Sequence, residues 1–116
     1  MLRIVLAAIM AAFLLPVHAH GPAKWVQDGA YKNAVGELCC GENDCGLMSG
    51  GTVDRVPGGY QVDAVFTGRN RAGAEFSFPV KGFIADEHAT PSPTGDYWAC
   101  SWGGQVKCFF VVLPGS

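Results

Sequence analysis

One stretch decides the fold class, and it reads Tyr60-Gln61-Val62-Asp63-Ala64-Val65-Phe66-Thr67. Its first, third, fifth and seventh residues are apolar, whereas three of the other four are polar. A period of two predicts a β-strand with one buried face, since successive side chains of a strand point to opposite faces. Pro57-Gly58-Gly59 directly before it supplies turn chemistry, so residues 52–56 are predicted to form the other strand of a hairpin.

Three more strands are predicted downstream. Residues 76–80 alternate again, and Pro79 within them indicates an edge strand because proline cannot donate a ladder hydrogen bond. Residues 97–102 and 106–113 flank Gly103-Gly104, which is typical of a second hairpin. The last of these strands is apolar at every position from 108 to 113, which predicts that both of its faces are covered.

The rest of the chain predicts irregular structure. Residues 20–34 have room for a single helical turn, residues 36–46 form a loop rich in glycine and cysteine, and residues 84–93 carry two prolines. We therefore predict a mainly β fold, namely a small antiparallel sheet or open barrel of about five strands with an N-terminal irregular segment tethered by disulfides.

Residues 1–19 have the composition of a secretory signal peptide. Arg3 supplies a positive charge, residues 4–15 are an unbroken apolar run, and Ala19 ends a site with small residues at the cleavage positions. The run is shorter than the roughly 20 residues of a membrane-spanning helix. We predict cleavage after Ala19, one mature domain over residues 20–116, a periplasmic or secreted location, and no stable membrane insertion after cleavage. A retained interfacial anchor is the alternative.

Composition excludes several classes of protein. The chain is 49% apolar and only 16% charged, which argues against disorder, and its net charge of -2 argues against a nucleic-acid partner. The sequence has no P-loop, GxGxxG, HExxH, CxxCH or GxSxG pattern, so the familiar motifs of nucleotide, zinc-protease, haem and hydrolase sites are missing. These observations favour a non-enzymatic protein without deciding the question.

Five cysteines in the mature chain predict a disulfide framework, because exported proteins are oxidised. They are Cys39, Cys40, Cys45, Cys100 and Cys108. Five is an odd number, so two bridges within one chain leave one thiol over. Disulfide geometry disfavours a bond between the adjacent Cys39 and Cys40. Zinc bound by these thiols fits neither the usual ligand spacing nor an oxidising compartment.

The second hairpin bears on which cysteines pair. If Gly103-Gly104 is a two-residue loop, Cys100 lies opposite Lys107 and Ala99 opposite Cys108, so that Cys100 and Cys108 point to opposite faces. A three-residue loop would place Cys100 opposite Cys108 instead. The glycine pair favours the first geometry. We therefore expect each strand cysteine to bond back to the block over residues 39–45, with the order of the partners left open.

Two blocks of sequence resemble a family of short exported bacterial proteins without an assigned activity. The first block is Cys39-Cys40-Gly41-Glu42-Asn43-Asp44-Cys45, which fits the pattern CCGxxDC. The second runs from Pro91 to Cys100 and fits PSPxGxYWxC, followed by Lys107-Cys108-Phe109-Phe110 in a closing strand. The resemblance covers most of the mature chain. It implies export, cysteine crosslinks and a single domain, and it implies no catalytic residue.

His20 carries the one metal hypothesis. Cleavage after Ala19 would expose its amine and imidazole together, a pair that can hold Cu(II) in the tetragonal nitrogen geometry that copper prefers. His88, beside Asp86 and Glu87, is the candidate third nitrogen ligand. A copper-binding protein is thus one alternative function, and copper is the one cofactor that the residues leave as a candidate. A thiol redox protein is a second alternative, and it needs an exposed thiol of low pKa. A thiol nucleophile with His88 as its base is a further arrangement that the residue types permit.

A binding surface is the leading functional hypothesis. The aromatic residues Trp98 and Trp102, together with Trp25 and Tyr60, are candidates for a protein-binding or sugar-stacking face, since a small β domain cannot bury every ring. Arg69 and Arg71 at a predicted loop tip are candidates for contact with an anion. We therefore predict an exported, disulfide-stabilised β module that binds another macromolecule, either a protein or an envelope glycan.

The copper hypothesis can be tested with correctly processed protein that begins at His20. We expect calorimetric titration with Cu(II) to show weak binding that His88→Ala leaves unchanged, because nothing in the sequence brings His88 to the N-terminus. Tight one-to-one binding that is lost in His88→Ala, and lost when one residue is added before His20, would establish the copper function instead.

Overall fold

The computed structural model describes residues 23–39 and 44–113, and this part of the chain is mainly β. The predicted signal peptide over residues 1–19, His20 and Cys40 lie outside the described residues. The elements in chain order are α1 (Lys24–Asp28), β1 (Cys45–Val56), β2 (Gly59–Arg69), β3 (Glu75–Ala85), a 3-10 turn (Asp86–His88), β4 (Ala89–Pro91), β5 (Trp98–Trp102) and β6 (Gln105–Val111).

The strands form one six-stranded sheet in the order β3-β2-β1-β5-β6-β4. Neighbouring strands are antiparallel except β4 and β6, which run parallel. The predicted fold class is confirmed, but the sheet is mixed and has six strands rather than about five. The extra strand, β4, lies within residues 84–93, for which the sequence predicts irregular structure. Part of this stretch is regular because β3 extends to Ala85 and because Ala89–Pro91 pair with β6.

The first hairpin follows the sequence pattern closely. Pro57 and Gly58 form the turn, with Val56 opposite Gly59 and Val53 opposite Val62. The apolar set of β2 is buried as the alternation predicts, namely Tyr60, Val62, Ala64 and Phe66. β3 lies at the sheet edge, where Pro79 predicts it.

β1 is longer than the sequence predicts. It begins at Cys45 rather than at residue 52, so Cys45 and Gly46 belong to a strand and not to an irregular loop. Cys45 and Gly46 pair with β5, and Leu47 pairs with both β5 and β2. This pairing overrides the low strand propensity of glycine. Ser49 is the extra residue of a β-bulge, and Gly51 just beyond it has a φ of 92°, a left-handed conformation that glycine adopts without strain.

The sheet curls into an open barrel. β1 and β5 separate β2 from β6 in the sheet, yet the ring of Phe109 in β6 lies 6.1 Å from that of Tyr60 and 6.3 Å from that of Phe66. These contacts across the sheet require it to bend back on itself, and a bulge and a glycine are common means of bending a strand. The inner core therefore joins β2 and β3 to β5 and β6.

A second core lies on the outer face of β5 and β6. Ala23, which precedes α1, and Val26 within α1 pack there against Trp98, Cys100 and Phe110. Along β6 the side chains of Phe109 and Val111 enter the inner core, whereas those of Cys108 and Phe110 enter the outer one. The prediction that both faces of this strand are covered is confirmed for residues 108–111, whereas β6 ends at Val111 and Leu113 beyond it is 41% exposed.

Two disulfides join the N-terminal block to the last hairpin, as expected. Cys39 bonds to Cys108 and Cys45 bonds to Cys100. The loop of the hairpin has two residues, with Trp102 opposite Gln105, but Lys107 is the extra residue of a bulge, so that Cys100 lies opposite Cys108. The predicted pairings of Cys100 with Lys107 and of Ala99 with Cys108 are therefore wrong, because the alternation assumed an unbroken ladder.

The two bridges have separable effects. They close loops with sequence separations of 69 and 55 residues, and chain entropy alone assigns about 4 kcal/mol to each. We expect the variant Cys39→Ala/Cys108→Ala to lose about 2–4 kcal/mol of unfolding free energy and to exchange the amide hydrogens of residues 23–39 faster, since only this bridge anchors that segment covalently. Denaturant melts and hydrogen exchange measure both.

Cys45→Ala/Cys100→Ala is the matched control. It removes a bridge within the sheet and keeps the anchor, so a similar loss of stability with residues 23–39 still protected is expected. Equal exchange of residues 23–39 in the two variants would show that packing rather than the bridge holds that segment in place.

Candidate functional site

The candidate site is the gap where the curled sheet fails to close. Four antiparallel pairings separate β3 from β6 in the sheet, so the two strands run in the same direction. After the 3-10 turn the chain continues as β4, which pairs with Phe109–Val111 of β6 and closes one end of the gap. Within the described residues no strand pairing joins β3 to Gln105–Cys108.

A cleft of about 490 Å³ lies between β3 and β6. We call it the seam cleft, and its lining consists of residues 79–81, 83–85, His88 and 104–109. Val80 and Phe109 at its base are buried and belong to the inner core. Phe83 is 55% exposed, and its ring lies so close to Gly59 that a β-carbon there would approach it to 2.7 Å. Any side chain at position 59 would therefore displace this ring.

Two lysines and one histidine line the seam cleft, and the two lysines are cationic. Lys81 is a highly exposed side chain whose Nζ lies 3.9 Å from Asp63. Lys107 is only 24% exposed, with Nζ 4.0 Å from Glu37 and 5.8 Å from the centre of the Trp102 ring. His88 Nε2 lies 3.7 Å from Glu87. The described lining itself contains no carboxylate, and the carboxylates of Asp63, Glu37 and Glu87 lie beside it, within 4.0 Å of these groups. A ligand carboxylate could compete with them for Lys81 and Lys107, whereas a cationic ligand would find no partner in the lining.

An ion pair fixes the point at which the chain leaves β3. Both terminal nitrogens of Arg55 donate to the carboxylate of Asp86, the Nη2–Oδ2 distance being 3.1 Å, and the guanidinium also lies 4.8 Å from the centre of the Tyr60 ring. The backbone N–H of Asp86 donates to the carbonyl of Gly58 at 3.0 Å. The hydrogen bond from Arg55 lowers the pKa of Asp86. This clamp holds the 3-10 turn at the closed end of the seam cleft.

The structure does not assemble the binding face that the aromatic residues suggest. Trp98 is 5% exposed, its Nε1 donates to Thr94 Oγ1 at 2.8 Å, and its ring packs edge-on against Trp25. The prediction of Trp98 as a contact residue is wrong, because this side chain is buried against Ala23, Val26 and Trp25. Tyr60 is likewise buried in the inner core, and Trp102 is half-buried beneath Lys107.

The predicted cationic loop lies apart from the seam cleft. Arg69 ends β2 and donates to the carbonyl of Gly73 at 3.0 Å, which bridges the loop over residues 70–74. Neither Arg69 nor Arg71 lines the seam cleft, and neither do Trp98 and Trp102. The four residues are therefore not brought together in one site.

The copper and thiol hypotheses rest on residues outside the described part of the chain. His20 lies there, so its distance to His88 is not tested. Within residues 23–39 and 44–113 no group of three or more His, Cys, Asp or Glu side chains is placed to hold a metal ion. The four described cysteines are all in disulfides, which leaves Cys40, also outside this range, as the thiol of the redox hypothesis.

Sequence reasoning missed the residues that line the seam cleft. One signal was available, since Phe83 continues the outward-facing series of Pro79 and Lys81 in β3. A single exposed apolar side chain is common on protein surfaces, so this signal by itself does not mark a site. The approach of β6 was not predictable, because it depends on how far the sheet curls.

Comparisons of the chain with protein-family models, curated proteins and solved structures found no match. The resemblance carried by the CCGxxDC and PSPxGxYWxC blocks therefore stays a prediction. In the described residues no helix is long and apolar enough to cross a membrane.

The Arg55–Asp86 clamp gives a pH-dependent prediction. Because the pKa of Asp86 in the folded chain lies below its ordinary value of 3.8, its contribution to stability is present above that value and is lost as pH falls through the lowered pKa. We expect Asp86→Asn to lower the Tm slightly at pH 7, because solvent screens an exposed pair, and the difference from the wild type to shrink at pH values below the ordinary pKa. Thermal melts across this range test it.

Asp44 supplies a control of opposite sign. Its partial burial at the start of β1 raises its pKa, so the charged form destabilises the fold at neutral pH. Asp44→Asn should keep or raise the Tm at pH 7. A Tm difference for Asp86→Asn that does not vary with pH would show that the clamp is not electrostatic.

Proposed function

We propose that this chain is an exported, non-enzymatic module that binds another macromolecule outside the cytoplasm, in the periplasm or beyond the cell. The signal-like residues 1–19 support export, and the two disulfides fit an oxidising compartment. The observation that carries binding is the seam cleft, because it exposes an apolar ring and unpaired strand edges together on one side of a rigid barrel.

Rigidity supports the same proposal. The strands around the seam cleft are held by the inner core, by a disulfide between β1 and β5, and by the clamp at the 3-10 turn. A site that is organised before its ligand arrives loses little conformational freedom on binding, so a small surface gains affinity. A preorganised cleft therefore favours recognition of one specific partner over nonspecific adsorption of the protein to a surface.

The test is site-directed photocrosslinking in cells that export the protein. With p-benzoylphenylalanine in place of Phe83, we expect a crosslinked product of higher mass. The same group in place of Val65, an exposed apolar residue of β2 that does not line the seam cleft, should give none. Lys81→Gln/Lys107→Gln should reduce the Phe83 product about tenfold.

Lys24→Gln/Lys32→Gln is the matched charge control, since neither lysine lines the seam cleft. It should leave the crosslinked product unchanged. Equal products from positions 83 and 65, or no product from position 83, would remove the support for binding at the seam cleft.

A further inference from the structure

We propose that the occupant of the seam cleft is an extended polypeptide segment in which apolar and carboxylate side chains alternate, bound as an additional β-strand between β3 and β6. This inference rests on the proposed binding function and names the class of partner. It follows from three features of the seam cleft: the direction of its backbone groups, the direction of its strands, and the charge of its rim.

The backbone of β3 offers hydrogen-bonding groups to the seam cleft. In a paired strand, the N–H and C=O of alternate residues point to opposite sides. The N–H of Asp86 donates toward β2, at Gly58, and the β2–β3 register is unbroken over the whole strand. Even-numbered residues therefore face β2, and odd-numbered residues face the seam. Pro79, which has no N–H, falls on the seam side, while Lys81 and Phe83 present their N–H groups there.

β6 offers a second edge. Gln105, Val106 and Cys108 pair with β5 on one side, with Lys107 as the bulge residue, whereas β4 reaches only Phe109–Val111 on the other side. Since β3 and β6 run in the same direction, one strand of opposite direction between them is antiparallel to both. The lining stretch of β3, residues 79–85, is about 20 Å long and accommodates roughly six residues of extended chain.

The side chains of the seam cleft define the pattern of the inserted strand. Successive residues of an added strand face opposite ways. Those that face inward meet the apolar base at Val80 and Phe109, and those that face outward meet a rim that carries Lys81 and Lys107. An alternation of apolar and acidic residues satisfies both sides, as in other recognition by β-strand addition.

Protection of an exposed edge is the competing explanation. Lysine and proline on an edge strand commonly prevent unwanted pairing, and β3 has both. Protection does not account for Phe83, whose ring packs over Gly59 of β2 and still remains 55% exposed next to the open edge. It also does not account for the facing second edge in β6.

Three synthetic peptides of about ten residues, roughly 33 Å when extended, separate these explanations. The first alternates valine and glutamate, the second alternates valine and lysine, and the third repeats the first with N-methyl groups on alternate backbone nitrogens. Fluorescence anisotropy measures binding to the oxidised mature protein. We expect the first peptide to bind at least about tenfold more tightly than either of the others, and Lys81→Gln to weaken it several-fold.

Amide exchange supplies the readout that only strand pairing moves. The first peptide should slow exchange of the Lys81 and Phe83 amides and leave those of Val80 and Ile84, which already face β2, unchanged. Equal binding of the N-methylated peptide, or no binding of the first peptide, would overturn the inference.

The outcomes distinguish this inference from the proposed function. If all three peptides fail while crosslinking at Phe83 persists, binding at the seam cleft stands and the occupant is of another class, such as a glycan. Crosslinking into a second copy of the chain, with dimers in sedimentation that Lys81→Gln abolishes, would likewise overturn the peptide assignment. Failure of both experiments removes the proposed function together with the inference.

Discussion

The contact of the Phe109 ring with β2 is the interaction on which the rest of the structure depends. Phe109 is 1% exposed and lies between the rings of Tyr60, Phe66 and Tyr97. Burying a ring of this size stabilises the fold by about 1.5–3 kcal/mol, and here it also bends the sheet. Without this contact β6 would lie far from β3, and the seam cleft would not exist.

The sequence predicts the local parts of the fold and misses those that depend on distant partners. The alternation from Tyr60 to Phe66 and the turn residues Pro57 and Gly58 act over a few positions, so period and turn chemistry suffice to place β2 and its hairpin. The start of β1 at Cys45 depends on β5, which lies some 50 residues away along the chain. No pattern within residues 45–51 carries that information.

The cysteines show the same division. The predicted bonding of Cys100 and Cys108 back to the N-terminal block is confirmed. The register from which it was partly inferred is wrong, because a single bulge at Lys107 places Cys100 opposite Cys108. The candidate site could not be predicted from the sequence for a related reason, because Lys81, Phe83 and Lys107 come together only through the curl of the sheet. Trp98, which the sequence offers as a contact residue, is needed in the outer core.

The disulfide pattern determines what happens to the molecule when a protease cleaves the chain once. Exposed loop tips, such as residues 70–74 and Gly103-Gly104, are the usual sites of proteolytic cleavage. Any single cut between Cys39 and Cys108 leaves two fragments that the bridge between these residues still joins, and a cut between Cys45 and Cys100 leaves them joined twice. A nicked molecule therefore keeps all its strands and its composition. Its damage is visible only after reduction, when the fragments separate by size.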